Sequence, residues 1–175
     1  MQFFSGSWNT KLDEKGRFVL PSALRDGLVE QGRLEIFLGL SLGGCLAIYR
    51  ESDVAKMVER FRAKQHLARY QSLFTTFFSS LHRALPDRVG RIYLPPFLQK
   101  VANIEKKEEL ALVGVIDKIE ILPRAVHEER MRHFLEEGRS SSLCEELFSL
   151  LEPEKPSKAD MPLSEETQEL VEVPV

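Results

Sequence analysis

The side chains best placed for chemistry in this 175-residue chain are arginines in a turn that is written twice. Asp13-Glu14-Lys15-Gly16-Arg17 runs into Phe18-Val19-Leu20-Pro21, and Asp87-Arg88-Val89-Gly90-Arg91 runs into Ile92-Tyr93-Leu94-Pro95. Aspartate, glycine, arginine, proline and the later Leu24 and Leu98 all keep one offset of 74 positions, so the match marks a duplicated unit. An arginine guanidinium grips a phosphate or a guanine edge through two parallel hydrogen bonds, which the point charge of lysine cannot reproduce. Two basic turns on one scaffold form the simplest footprint for a phosphate backbone. Arg17 and Arg91 are therefore the principal candidates for contact with double-stranded DNA, Lys15 and Arg88 for phosphate contacts, and Lys11 and Arg83 for weaker ones. The plainer alternative is that aspartate and arginine only brace each turn through an exposed ion pair, worth about 0–1 kcal/mol.

Positioning falls to the other residues that the two copies share. Aspartate bonds backbone N–H groups two or more residues ahead and glycine takes a positive φ at low cost, so Asp13 with Gly16, and Asp87 with Gly90, write a tight turn and orient its arginine. A short β-favouring run follows, and Pro21 or Pro95 then ends the strand and opens a helix. In the second copy Gln99 stands where the first has Arg25, which leaves that module less basic surface to offer.

The remaining elements follow from periodicity. Ser7–Leu12 alternates as a strand into the first turn, and Leu24 and Leu28 share one face of a short helix over 22–30. Two apolar strands, 33–38 and 45–49, flank Gly39, Gly43 and Gly44 as a hairpin, and a helix after Ser52 carries a stripe of Val54, Met57, Val58 and Phe61. Leu73, Phe74, Phe77, Phe78 and Leu81 keep helical spacing and read as packed core or an inter-module seam. The second unit repeats the order with a helix to about Asn103, strands over 110–115 and 118–122, and a helix after Pro123 with Met131, Phe134 and Leu135 on its inner face. Leu143, Leu147, Leu150 and Leu151 are spaced for one last helix, and the proline-rich acidic stretch after Glu152 lacks the apolar content for a core.

Composition bounds the function. The net charge of −3 is unevenly spread: residues 152–175 hold seven acidic and two basic side chains, so the preceding 151 residues carry a net +2. No apolar run reaches the length of a membrane span and the first residues do not form a secretory signal, which points to the cytoplasm. Neither a phosphate-binding glycine loop, a nucleophile elbow nor HExxH is present, and His66, His82, His127 and His133 lack ligand spacing. The expectation is a protein without catalytic residues, cofactor or metal, in which Cys45 is a small buried hydrophobe.

These residues together resemble a known family. Phe4-x-Gly6, Leu12-Asp13-x-Lys15-Gly16-Arg17-x-x-x-Pro21-x-x-Leu24-Arg25, Gly43-Gly44-Cys45-Leu46, Asp87-x-x-Gly90-Arg91-x-x-x-Pro95 and Leu112-Val113-Gly114-Val115 are similar to the MraZ transcriptional regulators, of the AbrB-like swapped-hairpin class, over about residues 1–137. The resemblance implies an α+β fold of two tandem pseudo-equivalent modules, residues 1–72 and 73–137, forming a small β-barrel with short helices. Residues 138–175 would be an extension with a helix over 143–151 and a disordered acidic tail. It further implies a homo-oligomer, arranged as a ring on promoter DNA repeats, that represses its own promoter and the cell-division and cell-wall gene cluster and is nucleoid-associated. The alternatives are a ring-forming scaffold for protein partners, recruited in part by the acidic tail, and an RNA- or antitoxin-type binder of related fold.

Overall fold

A computed structural model of the chain describes residues 3–41, 44–138, 145–146 and 149–150. The expected helix over 143–151 and the tail beyond it lie almost wholly outside those residues. The chain divides into two units, Met1–Arg132 and His133–Val175. In the first, strands and helices alternate in the order β1 Ser7–Lys11, β2 Arg17–Val19, α1 Ser22–Leu28, β3 Ile36–Leu40, β4 Leu46–Arg50, α2 Glu51–Arg62, α3 Gln71–Ser80, β5 His82–Ala84, β6 Arg91–Tyr93, α4 Pro96–Val101, β7 Glu109–Val115 and β8 Lys118–Pro123. A last helix, α5, runs over Arg124–Gly138, and a single 3-10 turn at Ala68–Tyr70 separates α2 from α3.

Six strands form one antiparallel sheet in the order β1-β7-β8-β4-β3-β5, and β2 and β6 form a separate two-stranded ribbon. The α+β class holds, but among the described residues the sheet is open rather than closed into a barrel. Closure requires the two edge strands to pair. Here the edges are β1 and the three-residue β5, at opposite ends of the sheet.

The register links the two copies of the repeat strand by strand. Trp8 faces Leu112 in the β1–β7 ladder, and His82 faces Leu38 in the β5–β3 ladder. The offset of 74 carries the first pair onto the second with the copies exchanged. In the ribbon, Phe18 faces Ile92, its own counterpart in the repeat. Each copy therefore supplies an edge strand to the other's hairpin, and the sheet order reads alike from both ends.

The core is continuous across this exchange. Leu12, Phe18, Leu20, Leu24, Leu28, Ile36, Leu38, Ile48, Ile92, Leu94, Leu98, Leu112 and Ile121 are buried in one cluster drawn from both copies. Apolar alternation explains it: Phe18 and Ile92 point inward while their ribbon neighbours Val19 and Tyr93 are exposed. Phe61 packs its ring 4.9 Å from Phe74 and 5.7 Å from Phe77, which holds α2 against α3 as a satellite of the core. Cys45 is buried beside Ala111 and Leu122, and burial pushes its thiol pKa up.

Three further expectations change. Of the apolar run on α3 only Phe77 is buried, while Leu73 and Phe78 are exposed. The strand β5 interrupts what the apolar spacing alone continues as helix through Leu81, because Leu81 is extended and His82, Arg83 and Ala84 pair with β3. On α5, Met131, Phe134 and Leu135 are 51%, 46% and 63% exposed instead of facing inward. Charged residues at 124, 128–130, 132, 136 and 137 ring this helix, so its apolar residues do not gather into a buried stripe.

Because each copy's edge strand depends on the other's hairpin, the sheet is expected to unfold as one unit. Trp8, the only tryptophan, reports on the β1–β7 ladder. Its fluorescence and the far-UV circular dichroism should share one urea midpoint. Leu112→Ala, at a fully buried position, should destabilise both together, by about 2–5 kcal/mol; an earlier transition at Trp8 alone would contradict the interlocked sheet.

Candidate nucleic-acid interface

The two turns are built alike, bond for bond. In the first, Asp13 accepts from the backbone N–H of Lys15 and of Arg17, both at 2.8 Å on Oδ1, while its Oδ2 accepts from Arg17 Nε at 3.0 Å and lies 2.9 Å from Nη2. In the second, Asp87 Oδ1 accepts from the N–H of Val89 at 3.0 Å and of Arg91 at 2.9 Å, and its Oδ2 from Arg91 Nε at 2.7 Å. Gly16 and Gly90 have φ of +74° and +89°, where a side chain would be strained. The Gly16 N–H donates to Asp13 O and the Gly90 N–H to Asp87 O, which closes each turn.

Electrostatics follow from those bonds. The backbone N–H of Arg91, with its side chain, holds the Asp87 carboxyl down at about 2, against an ordinary 3.8. The Asp13 carboxyl is likewise lowered, chiefly by the N–H of Arg17, against an opposing desolvation. Both carboxylates thus stay charged, and each arginine is held in a fixed pose while remaining accessible: the Arg17 and Arg91 side chains are 33% and 43% exposed.

The β2–β6 ribbon brings the two turns onto one surface. Arg17 faces Tyr93 and Val19 faces Arg91 across the ladder, so these four side chains share the outer face. The turns are tied together by Leu20 N–H to Gly90 O and Leu94 N–H to Gly16 O, each 2.8 Å. Two arginines on one rigid, exposed ribbon can engage neighbouring anionic groups with little ordering cost.

The other sequence-derived candidates are distributed differently. Lys15 and Arg88 are exposed on the turns themselves, with no ion-pair partner among the described residues. Lys11 is exposed at the end of β1, opposite Glu109. Arg83 lies on β5, where it is paired with Glu35 and stands 3.8 Å from Glu51. Within the turns, the offset of 74 sets Arg88 opposite Glu14 and Val89 opposite Lys15; Glu14 is itself paired with Lys107 at 2.8 Å.

Each turn has a neighbour from the other copy, which linear comparison does not reveal. A Cβ on Gly16 would lie 2.7 Å from Gln99 Nε2, and a Cβ on Gly90 would lie 2.8 Å from Arg25 Nη1. The helix that follows each turn in sequence therefore packs against the opposite turn. The signal is present, since Arg25 and Gln99 are repeat counterparts, but the exchange appears only once β2 is paired with β6.

What this geometry defines is a protein that presents twin aspartate-braced arginine turns on a two-stranded ribbon. Residues 3–74, which include the first turn, match the family model described as "MraZ protein, putative antitoxin-like". Among curated relatives, a "Transcriptional regulator MraZ" of Moorella thermoacetica is 31% identical over 74% of this chain and 87% of its own. Proteins of the same name from Lachnoclostridium phytofermentans and Cutibacterium acnes are 31% and 32% identical, over 67% of this chain and 79% and 80% of theirs. The chain belongs to the MraZ family. No helix among the described residues is long and apolar enough to cross a membrane.

The lowered carboxyl has a measurable consequence. A group whose folded pKa is depressed contributes stability above its ordinary range and loses it as pH falls through the folded value. For Asp87 that window runs from about 3.8 down to about 2. A 13C carboxyl titration of the intact protein should give an Asp87 midpoint of about 2, and Arg91→Ala should move it upward. A wild-type midpoint at 3.8 would mean that the turn is not closed in this way.

Proposed function

We propose that this protein is a sequence-specific, double-stranded-DNA-binding transcriptional regulator. The observation that carries the reading is the pair of aspartate-braced, exposed arginines on the outer face of β2–β6. The names of its relatives, transcriptional regulators, support it. Arg17 and Arg91 are the main contacts, Lys15 and Arg88 bind phosphates, and Lys11 and Arg83 contribute weakly. Asp13, Asp87, Gly16 and Gly90 orient the turns and do not touch DNA, since a carboxylate is repelled by phosphate.

The finer reading rests on the family. Two tandem modules, meeting near residue 72, act as a repressor of the protein's own promoter and the cell-division and cell-wall gene cluster. Subunits assemble into a ring that spans repeated DNA elements and is nucleoid-associated, so that weak turns add through avidity. A second reading, a scaffold for protein partners, is favoured by the exposed Met131, Phe134 and Leu135 of α5.

Binding to the upstream duplex and to a scrambled one, across a salt series, tests the proposal. The upstream duplex should be preferred, with a steep salt dependence. Arg17→Ala and Arg91→Ala should each weaken binding and flatten log K against log salt by about 0.9 for every phosphate no longer neutralised. Equal, weak binding to both duplexes would favour the scaffold reading instead.

A further inference from the structure

Position 25 differs from its repeat counterpart in the one property that matters at an anion site. Arg25 is half-buried on α1, and its Nη1 lies against Gly90 of the second turn, where a Cβ would approach it to 2.8 Å. At the first turn the equivalent place is held by neutral Gln99, whose Nε2 donates to Leu94 O at 2.6 Å. Arg25 has no carboxylate within ion-pair distance among the described residues, unlike Arg83, Arg50 or Arg124.

The charges around the two turns are therefore unequal. At the first, Asp13 and Glu14 face Lys15, Arg17 and Lys107, the last paired with Glu14, which leaves one positive charge in excess. At the second, Asp87 faces Arg88, Arg91 and Arg25, which leaves two positive charges in excess. Linear comparison assigns the weaker basic surface to the second copy, because Gln99 replaces Arg25 there. The crossing of α1 and α4 reverses this.

We infer that Arg25, carried by the first copy, is a phosphate contact of the second turn, and that this makes Asp87–Arg91 the stronger of the two polyanion-binding turns. The inference rests on the DNA-binding reading above. The guanidinium is already packed on the Gly90 backbone, where a Cβ would lie 2.8 Å from its Nη1 and 3.4 Å from its Cζ. Little side-chain freedom remains to be lost when a phosphate docks, and its outer N–H groups add to the fork of Arg91.

The chain supplies its own control substitution. Glutamine is accommodated at the equivalent place in the first turn, where it bonds the strand-end carbonyl, so Arg25→Gln should fold and should bond Leu20 O in the same manner. With the upstream duplex, Arg25→Gln is expected to lower affinity about tenfold and to reduce the salt slope by about 0.9, with an unchanged thermal midpoint. The reciprocal Gln99→Arg should raise both affinity and slope by comparable amounts. If Arg17→Ala and Arg91→Ala flatten the slope while Arg25→Gln and Gln99→Arg leave it at the wild-type value, Arg25 only braces the turn and the inference is overturned. If no arginine substitution alters binding, the DNA-binding reading itself falls.

Discussion

The placing of both arginine turns depends on the short antiparallel pairing of β2 with β6. Only three residue pairs make the ladder, yet it joins the two copies at Phe18 and Ile92, which are buried side by side. The same pairing sets the spacing of the arginines. Leu20 N–H reaches Gly90 O, and Leu94 N–H reaches Gly16 O, so the backbone that closes one turn also anchors the other. The buried side of the ribbon supplies apolar stabilisation, and its exposed side is left for Arg17, Val19, Arg91 and Tyr93. Burial and the exposed arginines are thus carried by alternate residues of one strand pair.

The aspartates show how a carboxylate can serve a cationic surface. Asp13 and Asp87 each accept from two backbone N–H groups and one guanidinium. Their negative charge is satisfied within the turn and their arginines are held in position. An exposed ion pair of this kind contributes little to stability alone. Its effect is geometric: it removes side-chain freedom from arginines that would otherwise have to be ordered on contact with a ligand.

Much of this could be read from residue types. The turns, their glycines, the strand and helix after each, and the two hairpins all appear in the sequence because local chemistry writes them: Asp and Gly three apart in a turn, Pro at a helix start, apolar alternation. What does not appear depends on partners far away in the chain. The short triplet His82-Arg83-Ala84 carries no strand signal of its own and becomes β5 only because Phe37 and its neighbours offer an unpaired edge. Met131, Phe134 and Leu135 are apolar at helical spacing, yet they remain exposed among the charges that surround them on α5. The open sheet, in place of a barrel, follows from edge strands β1 and β5 that each pair on one side only. Arg25 is legible as a repeat difference, but not as a neighbour of Gly90, since that needs the exchange of helices between turns.

Whether the outer face of the β2–β6 ribbon is the contact surface for DNA can be tested most directly at Tyr93. It is 49% exposed and lies across the ladder from Arg17, which makes it a built-in reporter. Hydroxyl-radical footprinting of the full chain, free and bound to its upstream duplex, would read its accessibility. Tyr93 and Val19 should lose reactivity on binding while Met131 and Phe134 of α5 keep theirs. Unchanged reactivity at Tyr93, with protection confined to α5, would contradict the assignment.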